Sequence, residues 1–199
     1  MTTGTGYRLI TIPRLIVAAM LVLTSTCVWS LELETVLGNV AVAPPSKVRF
    51  LEQRHNRLLK EPMMLSGYLE YVKTGQLRKV IETPFEESFF ITETYIETER
   101  DGKTRRLSLN RSKPIRAMLG GIEAILAGQA EKLTSLFHYE LSGTNSCWSL
   151  RLEPLSEMVS GHLSAMHVKG DDDSANSIRL DLKDGEWSLM EFLNTDSEP

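Results

Sequence analysis

Residues 67–84 read GYLEYVKTGQLRKVIETP. Two arms flank Thr74-Gly75. One face takes Leu69 and Tyr71 from the first arm and Leu77, Lys79 and Ile81 from the second. A period of two marks a half-buried strand, and a glycine between two such arms marks a reversal. The stretch predicts a β-hairpin with one greasy face, the opening of a curved sheet.

Downstream, residues 87–99 read as one further strand arm, with Phe89, Ile91 and Tyr95 on one side and Phe90, Thr92 and Ile96 on the other. Asp101-Gly102 is a hairpin signal because glycine supplies positive φ, and residues 103–109 return. Residues 110–114 break the sheet. The apolar period then changes from two to 3.6: Ile115, Met118, Leu119, Ile122, Ile125 and Leu126 share one helical face. Pro114 suits the start of that helix and Gly128 its end. Gly120-Gly121 sits inside it, each glycine costing about 1 kcal/mol against alanine. The pair either loosens a mobile cover or permits close packing. A second helix is predicted over residues 129–137. Strands are predicted over residues 138–143, 147–153, 158–169, 177–182 and 186–193, with a polar turn at 170–175 and another at Asp184-Gly185. From Asn194 the chain is a polar tail.

Upstream, Leu33, Val36, Leu37 and Val40 predict a short helix within residues 31–42, stopped by Pro44-Pro45. Residues 46–59 allow a helix by propensity, but the stop at Glu61-Pro62 and the hairpin that follows favour a long edge strand, which Arg54, His55 and Arg57 keep from pairing with other chains. The order of strands, a central helix pair and more strands implies an α+β fold, with the helices on one side of a large antiparallel sheet.

The 199 residues suggest one domain, residues 31–199, behind a targeting segment, residues 1–30. Arg8 and Arg14 precede an apolar run at residues 15–23, much shorter than the ~20 residues that span a bilayer. This is the layout of a secretory signal peptide, with cleavage expected after Ser30 and Val28 at the −3 position. An uncleaved membrane anchor is the alternative. Lipidation at Cys27 would need a better motif than Thr24-Ser25-Thr26. The formal net charge is −4, and Arg8 and Arg14 are the only charged residues before Leu31, so the rest carries −6. That balance argues against nucleic acid as a partner. Cys147 is the one cysteine after residue 30, so no internal disulfide forms there. In an exported protein such a thiol is expected to be buried, here beside Trp148.

Catalytic patterns are missing from the sequence. His162 and His167 are five apart and would face opposite sides of a strand, which defeats a shared metal. His55 and His138 stand apart from them. Asp171-Asp172-Asp173 lacks the spaced ligands of a calcium loop and reads as a solvated turn. There is no Gly-x-Ser-x-Gly elbow, phosphate loop or paired-cysteine motif. The expectation is a binding protein without enzymatic activity, metal or cofactor.

Several short runs occur in a telling order: FLEQR at 50–54, Leu58 to Pro62, GYLEY at 67–71, Leu77-Arg78-Lys79, Pro84, Glu87, IEAILAG at 122–128, Leu133, Phe137 and Trp148-Ser149-Leu150. Over residues 50–193 the chain resembles the periplasmic outer-membrane lipoprotein carriers, the LolA-like family. The resemblance implies an unclosed antiparallel β-barrel, a strongly curved sheet with a helical lid inserted mid-chain over a hydrophobic cavity. It implies a monomeric periplasmic carrier of acyl chains, taking its cargo from an inner-membrane exporter to an outer-membrane acceptor. Carriers of this family place an Arg-Pro pair at the hairpin turn, where the arginine latches the lid. Thr74-Gly75 stands there instead. The chain is therefore closer to a divergent LolA-like branch near acyl-product pathways and proton-driven exporters, which implies a lipid or acyl-pigment cargo rather than a lipoprotein. The cavity is expected to use Leu69, Tyr71, Phe89 and Ile91 from the sheet, Met118, Leu119 and Ile122 from the lid, and Trp148 and Leu150 from the later strands. The same fold serving as a non-enzymatic envelope sensor or assembly factor that binds protein is the alternative.

Overall fold

The computed structural model describes residues 1–2 and 31–193, and the fold lies in the compact unit Leu31–Pro199. The expected signal-peptide run with Cys27, and the polar tail, fall outside the described residues. Eleven strands form one antiparallel sheet. They are β1 Ser46–His55, β2 Met63–Lys73, β3 Gln76–Thr83, β4 Glu87–Thr92, β5 Tyr95–Arg100 and β6 Lys103–Ser108, then β7 Phe137–Thr144, β8 Cys147–Pro154, β9 Leu163–Asp171, β10 Ser174–Leu182 and β11 Trp187–Leu193. The helices are α1 Leu33–Val40, α2 Lys113–Leu126, α3 Ala130–Leu136 and α4 Glu157–Ser160.

The order across the sheet is β6-β5-β4-β3-β2-β1-β11-β10-β9-β8-β7. Two meanders, β1 to β6 and β7 to β11, are stitched together where β1 pairs with β11. β6 and β7 remain as edges that do not pair with each other, so the barrel is unclosed. The segment holding α2 and α3 connects those two edges. β6 is exposed along its length and carries Lys103, Arg105 and Arg106, charges that discourage edge-to-edge association. Register shifts at Ser66/Gly67 and Tyr71/Lys73, and at Ala175/Ser177 and Asp181/Leu182, bend the strands.

The hairpin of residues 67–84 forms around Thr74-Gly75. Tyr71 faces Leu77, Leu69 faces Lys79, and Gly75 takes φ +75°. Opposed residues share a face. The same face continues through Leu77 opposite Ile91, Glu52 opposite Met190 and Met190 opposite Ile178. A large core joins α1, α2 and α3 to β8, β9 and β10, with Leu37, Leu133, Leu150, Leu152, Met166 and Val168 fully shielded. A smaller cluster of Phe50, Leu65 and Ile81 lies under β1 to β3.

Four expectations change. β1 is not an edge but the centre of the sheet, paired on both sides. Its charges misled because Glu52 faces inward in the row of Phe50 and is satisfied there, so polarity did not mean solvent. Residues 87–99 are two strands, because Thr92 turns the chain: its hydroxyl oxygen accepts from the backbone N–H groups of Thr94 and Tyr95 at 3.3 and 3.1 Å. Residues 157–160 are helical, with Val159 buried, and β9 begins only at Leu163. Cys147 is exposed. Neighbours on a strand point to opposite faces, and Trp148 takes the inner one, 2% exposed.

The glycine pair in α2 resolves toward close packing. A Cβ on Gly121 would stand 2.7 Å from the Phe137 ring, and one on Gly120 3.2 Å from a Leu136 methyl. Gly67 is tighter still: its Cβ would lie 1.8 Å from the Val80 carbonyl oxygen. That contact is with backbone, which cannot rotate away. Gly67→Ala should therefore lose about 1–3 kcal/mol of stability. Gly38→Ala, in a helix with nothing within 4 Å of the new Cβ, should gain about 0.5–1 kcal/mol. Urea unfolding midpoints of the two variants check both signs.

Candidate functional site

α2 does not fill the space above the sheet. Met118, Leu119 and Ile122 are only half-buried, whereas Ala124 and Ile125 in the last turn are buried. Beneath them is a cavity of about 380 Å³, within the range of small-molecule sites. Its walls are Leu69 of β2, Leu77 of β3, Ile91 of β4, Ile178 and Leu180 of β10 and Met190 of β11. Met118, Ile122, Leu180 and Ile178 belong to the large core and its margin, and Leu69 and Met190 to the margin of the small one. The hollow lies where the two cores fail to meet. A second hollow of about 370 Å³ shares Leu77, Ile91 and Leu119 with it and runs between α2, α3 and the turn after β4. That one is lined partly by charges: Glu93, Lys113, Arg116, Glu123 and Lys132, with Lys132 Nζ donating to Glu123 at 2.8 Å. A third, of about 640 Å³ at the first turn of α2, shares Met118 and Leu182 with the first.

The first cavity has one polar corner. Glu52, 1% exposed, is the buried charged residue of the described core. Its Oε1 accepts from Arg54 Nε and Nη2 at 3.2 and 3.0 Å and from Ser188 Oγ at 2.7 Å. Its Oε2 accepts from Lys79 Nζ, which also lies 5.0 Å from the Phe50 ring centre. Burial alone would push the Glu52 carboxyl up, but the Lys79 and Arg54 charges and the hydrogen bonds of Lys79 and Ser188 outweigh it and hold it below its ordinary value. For Lys79 burial wins: it pulls the ammonium down against the opposing pull of Glu52. The corner joins β1, β3 and β11.

The family model for outer membrane lipoprotein carrier protein LolA-like proteins matches residues 25–190. The chain belongs to this LolA-like family. Its fold is similar to a LolA superfamily protein from Nitrosomonas europaea, with 10% identity, 83% of this chain and 93% of that one covered and a TM-score of 0.43. It is similar to LprF from Mycobacterium bovis at 10% identity, covering 84% and 94%, with a TM-score of 0.38. It is similar also to a DUF1329 family protein from Desulfovibrio piger at 12% identity, covering 81% and 89%, with a TM-score of 0.44. No curated protein matches the chain by sequence.

Of the nine residues expected in a LolA-like cavity, Leu69, Ile91, Met118, Leu119 and Ile122 line the first hollow together. Tyr71 is buried, 4% exposed, and Phe89 packs at the margin of the Phe50 cluster. Trp148 and Leu150 lie in the large core, 2% and 0% exposed, away from the hollow. Its Leu77, Ile178, Leu180 and Met190 and its polar corner were not anticipated. A signal for the corner existed: Lys79 occupies an inward place in the hairpin's alternation, and Glu52 falls two residues after Phe50. Among the described residues no group of three or more His, Cys, Asp or Glu could hold a metal ion, and no helix is long and apolar enough to cross a membrane.

Because the folded state holds Glu52 below its ordinary 4.5, the folded chain binds fewer protons than the unfolded chain in that acid range. The stabilisation is complete above about pH 4.5 and fades as pH falls through the depressed value. Glu52→Gln should cost about 3 kcal/mol at neutral pH, since it strands the buried Lys79 charge. It should also flatten the loss of stability on acidification below pH 4.5. Thermal unfolding from pH 7 to pH 3 reads both effects.

Proposed function

We propose that the protein is a periplasmic carrier that shelters an acyl chain or lipid-like molecule between the curved sheet and α2, taking it from an inner-membrane exporter to an outer-membrane acceptor. The observation that carries this reading is the hollow under α2, walled by apolar side chains from both halves of the sheet. Membership of the LolA-like family supports it. Export by the N-terminal segment would put the chain in the compartment where such shelter is needed.

The energetics favour a hollow of this kind. Each methylene taken from water is worth about 0.8 kcal/mol, so a sixteen-carbon chain carries roughly 11 kcal/mol. An apolar wall supplies that without chemistry, and the role asks for no catalytic group. Thr74-Gly75 supplies no side chain able to latch α2 at the hairpin turn. Closure then depends on the packing of α2 on α3 and the core, and cargo other than a lipoprotein is the better fit.

Ile122→Glu should place a charge in the hollow and cut uptake of a fluorescent acyl probe at least ten-fold, with the far-ultraviolet circular dichroism of the sheet retained. Equal uptake by the variant would count against a carrier. Native mass spectrometry of the protein purified from its own envelope should show a bound lipid. A stable protein partner with no lipid would instead favour the sensor or assembly role.

A further inference from the structure

The polar corner of the cavity is more than a prop for the sheet. At its centre the charges do not pair one to one, although over the whole lining Glu52 and Glu186 stand against Arg54 and Lys79. Arg54 and Lys79 both direct their cationic groups to the single carboxylate of Glu52. Glu87 also acts on Lys79 electrostatically, but Glu87 faces Arg100 directly across β4 and β5. Glu186 and His55 line the cavity too, on residues next to the β11 and β1 ends. Around Glu52 itself, two cations meet one anion.

The hydrogen bonds do not balance either. Both oxygens of Glu52 are occupied, one by Arg54 and Ser188 and the other by Lys79. An ammonium has three N–H donors. Among the described residues Lys79 spends one, on Glu52. The side chain is 15% exposed, and it lines the cavity. Buried donors left unmet are expensive, and an anion brought to Nζ would offset the burial that pulls Lys79 down. Leu69, Leu77, Ile91 and Met190 supply apolar wall around the corner.

We propose that this corner is a headgroup site: Lys79, supported by Arg54, takes the anionic oxygens of a single-chain amphiphile whose acyl tail lies along the apolar wall under α2. The proposal rests on the carrier reading and names its cargo class, a long-chain carboxylate or a lysolipid phosphate. Glu52 then acts as a positioning residue. It fixes the Lys79 ammonium at the cavity wall and keeps the empty corner from presenting two uncompensated cations.

The test is displacement of a neutral fluorescent probe, N-phenylnaphthylamine, from the full exported chain by hexadecanoate, hexadecanol and a lysophosphatidate of equal chain length. On the native protein hexadecanoate should displace the probe at least ten-fold more tightly than hexadecanol. Glu52→Gln, which frees Lys79, should widen that ratio. Glu52→Gln with Lys79→Met removes both buried charges and leaves Arg54, whose side chain is 38% exposed, so folding is protected. The ratio should then fall at least three-fold, with Arg54 supplying what remains. Lysophosphatidate outcompeting hexadecanoate would support the site with phosphate as its source. Hexadecanoate and hexadecanol displacing the probe equally, or an unchanged ratio in the double variant, would overturn the headgroup site and leave the carrier intact. Failure of the probe and of every chain to bind would overturn the carrier reading itself.

Discussion

The pairing of β1 with β11 is the constraint on which the rest of the molecule depends. It joins the first strand to the last, with Glu52 opposite Met190 and Phe50 opposite Phe192. Without it the chain would be two separate meanders. With it, the two outermost strands, β6 and β7, are also consecutive along the chain, joined by the segment that carries α2 and α3. The ionic corner reinforces that seam. Glu52 from β1, Lys79 from β3 and Ser188 from β11 meet at one carboxylate. Such a pair contributes less net stability than its geometry suggests, because both charges were better hydrated in the unfolded chain. Its effect is on register: a one-residue slip of β1 would turn Glu52 outward and leave Lys79 alone in the cavity.

Why the space under α2 stays hollow follows from the same geometry. The large core is filled from one end by α1 and α3, whose Leu37 and Leu133 are fully shielded. The small core under β1 to β3 has no helix of its own and is closed by Phe50, Leu65 and Ile81. α2 is held toward the large core because Gly120 and Gly121 let it approach Leu136 and Phe137 closely. Side chains at 120 and 121 would push the helix away from α3. The glycines therefore spend helix propensity to fix where the roof sits, and the roof sits too close to one core to reach the other.

Much of this was legible from residue patterns. The hairpin at Thr74-Gly75, the change of period at Pro114 and the order of strands and helices follow from local chemistry, which a single segment contains. The curved, open sheet came from the ordered run of family-like motifs. What could not be read is what depends on partners distant in sequence. β1 looked like an edge because its charges were judged against solvent, and the partner that makes Glu52 tolerable lies 27 residues away at Lys79. Trp148 and Leu150 alternate as well as Leu69 does, yet they lie in the large core rather than along the hollow. Alternation tells which face a residue takes, not whether that face meets a core or a cavity.

On the carrier reading proposed above, cargo must be both held and let go, and the division of labour in this cavity bears on both. The charged corner is built wholly on strands, at Glu52, Lys79 and Ser188 of the bonded sheet. The apolar roof is built on α2, at Met118, Leu119 and Ile122. A displacement of α2 would uncover a tail without breaking any contact made by the corner. Hydrophobic grip scales with covered area, so the tail's hold would fall steeply while the headgroup stayed in place. On that reading release is ordered, tail first and head last, because the ion pair of the corner outlasts the apolar cover.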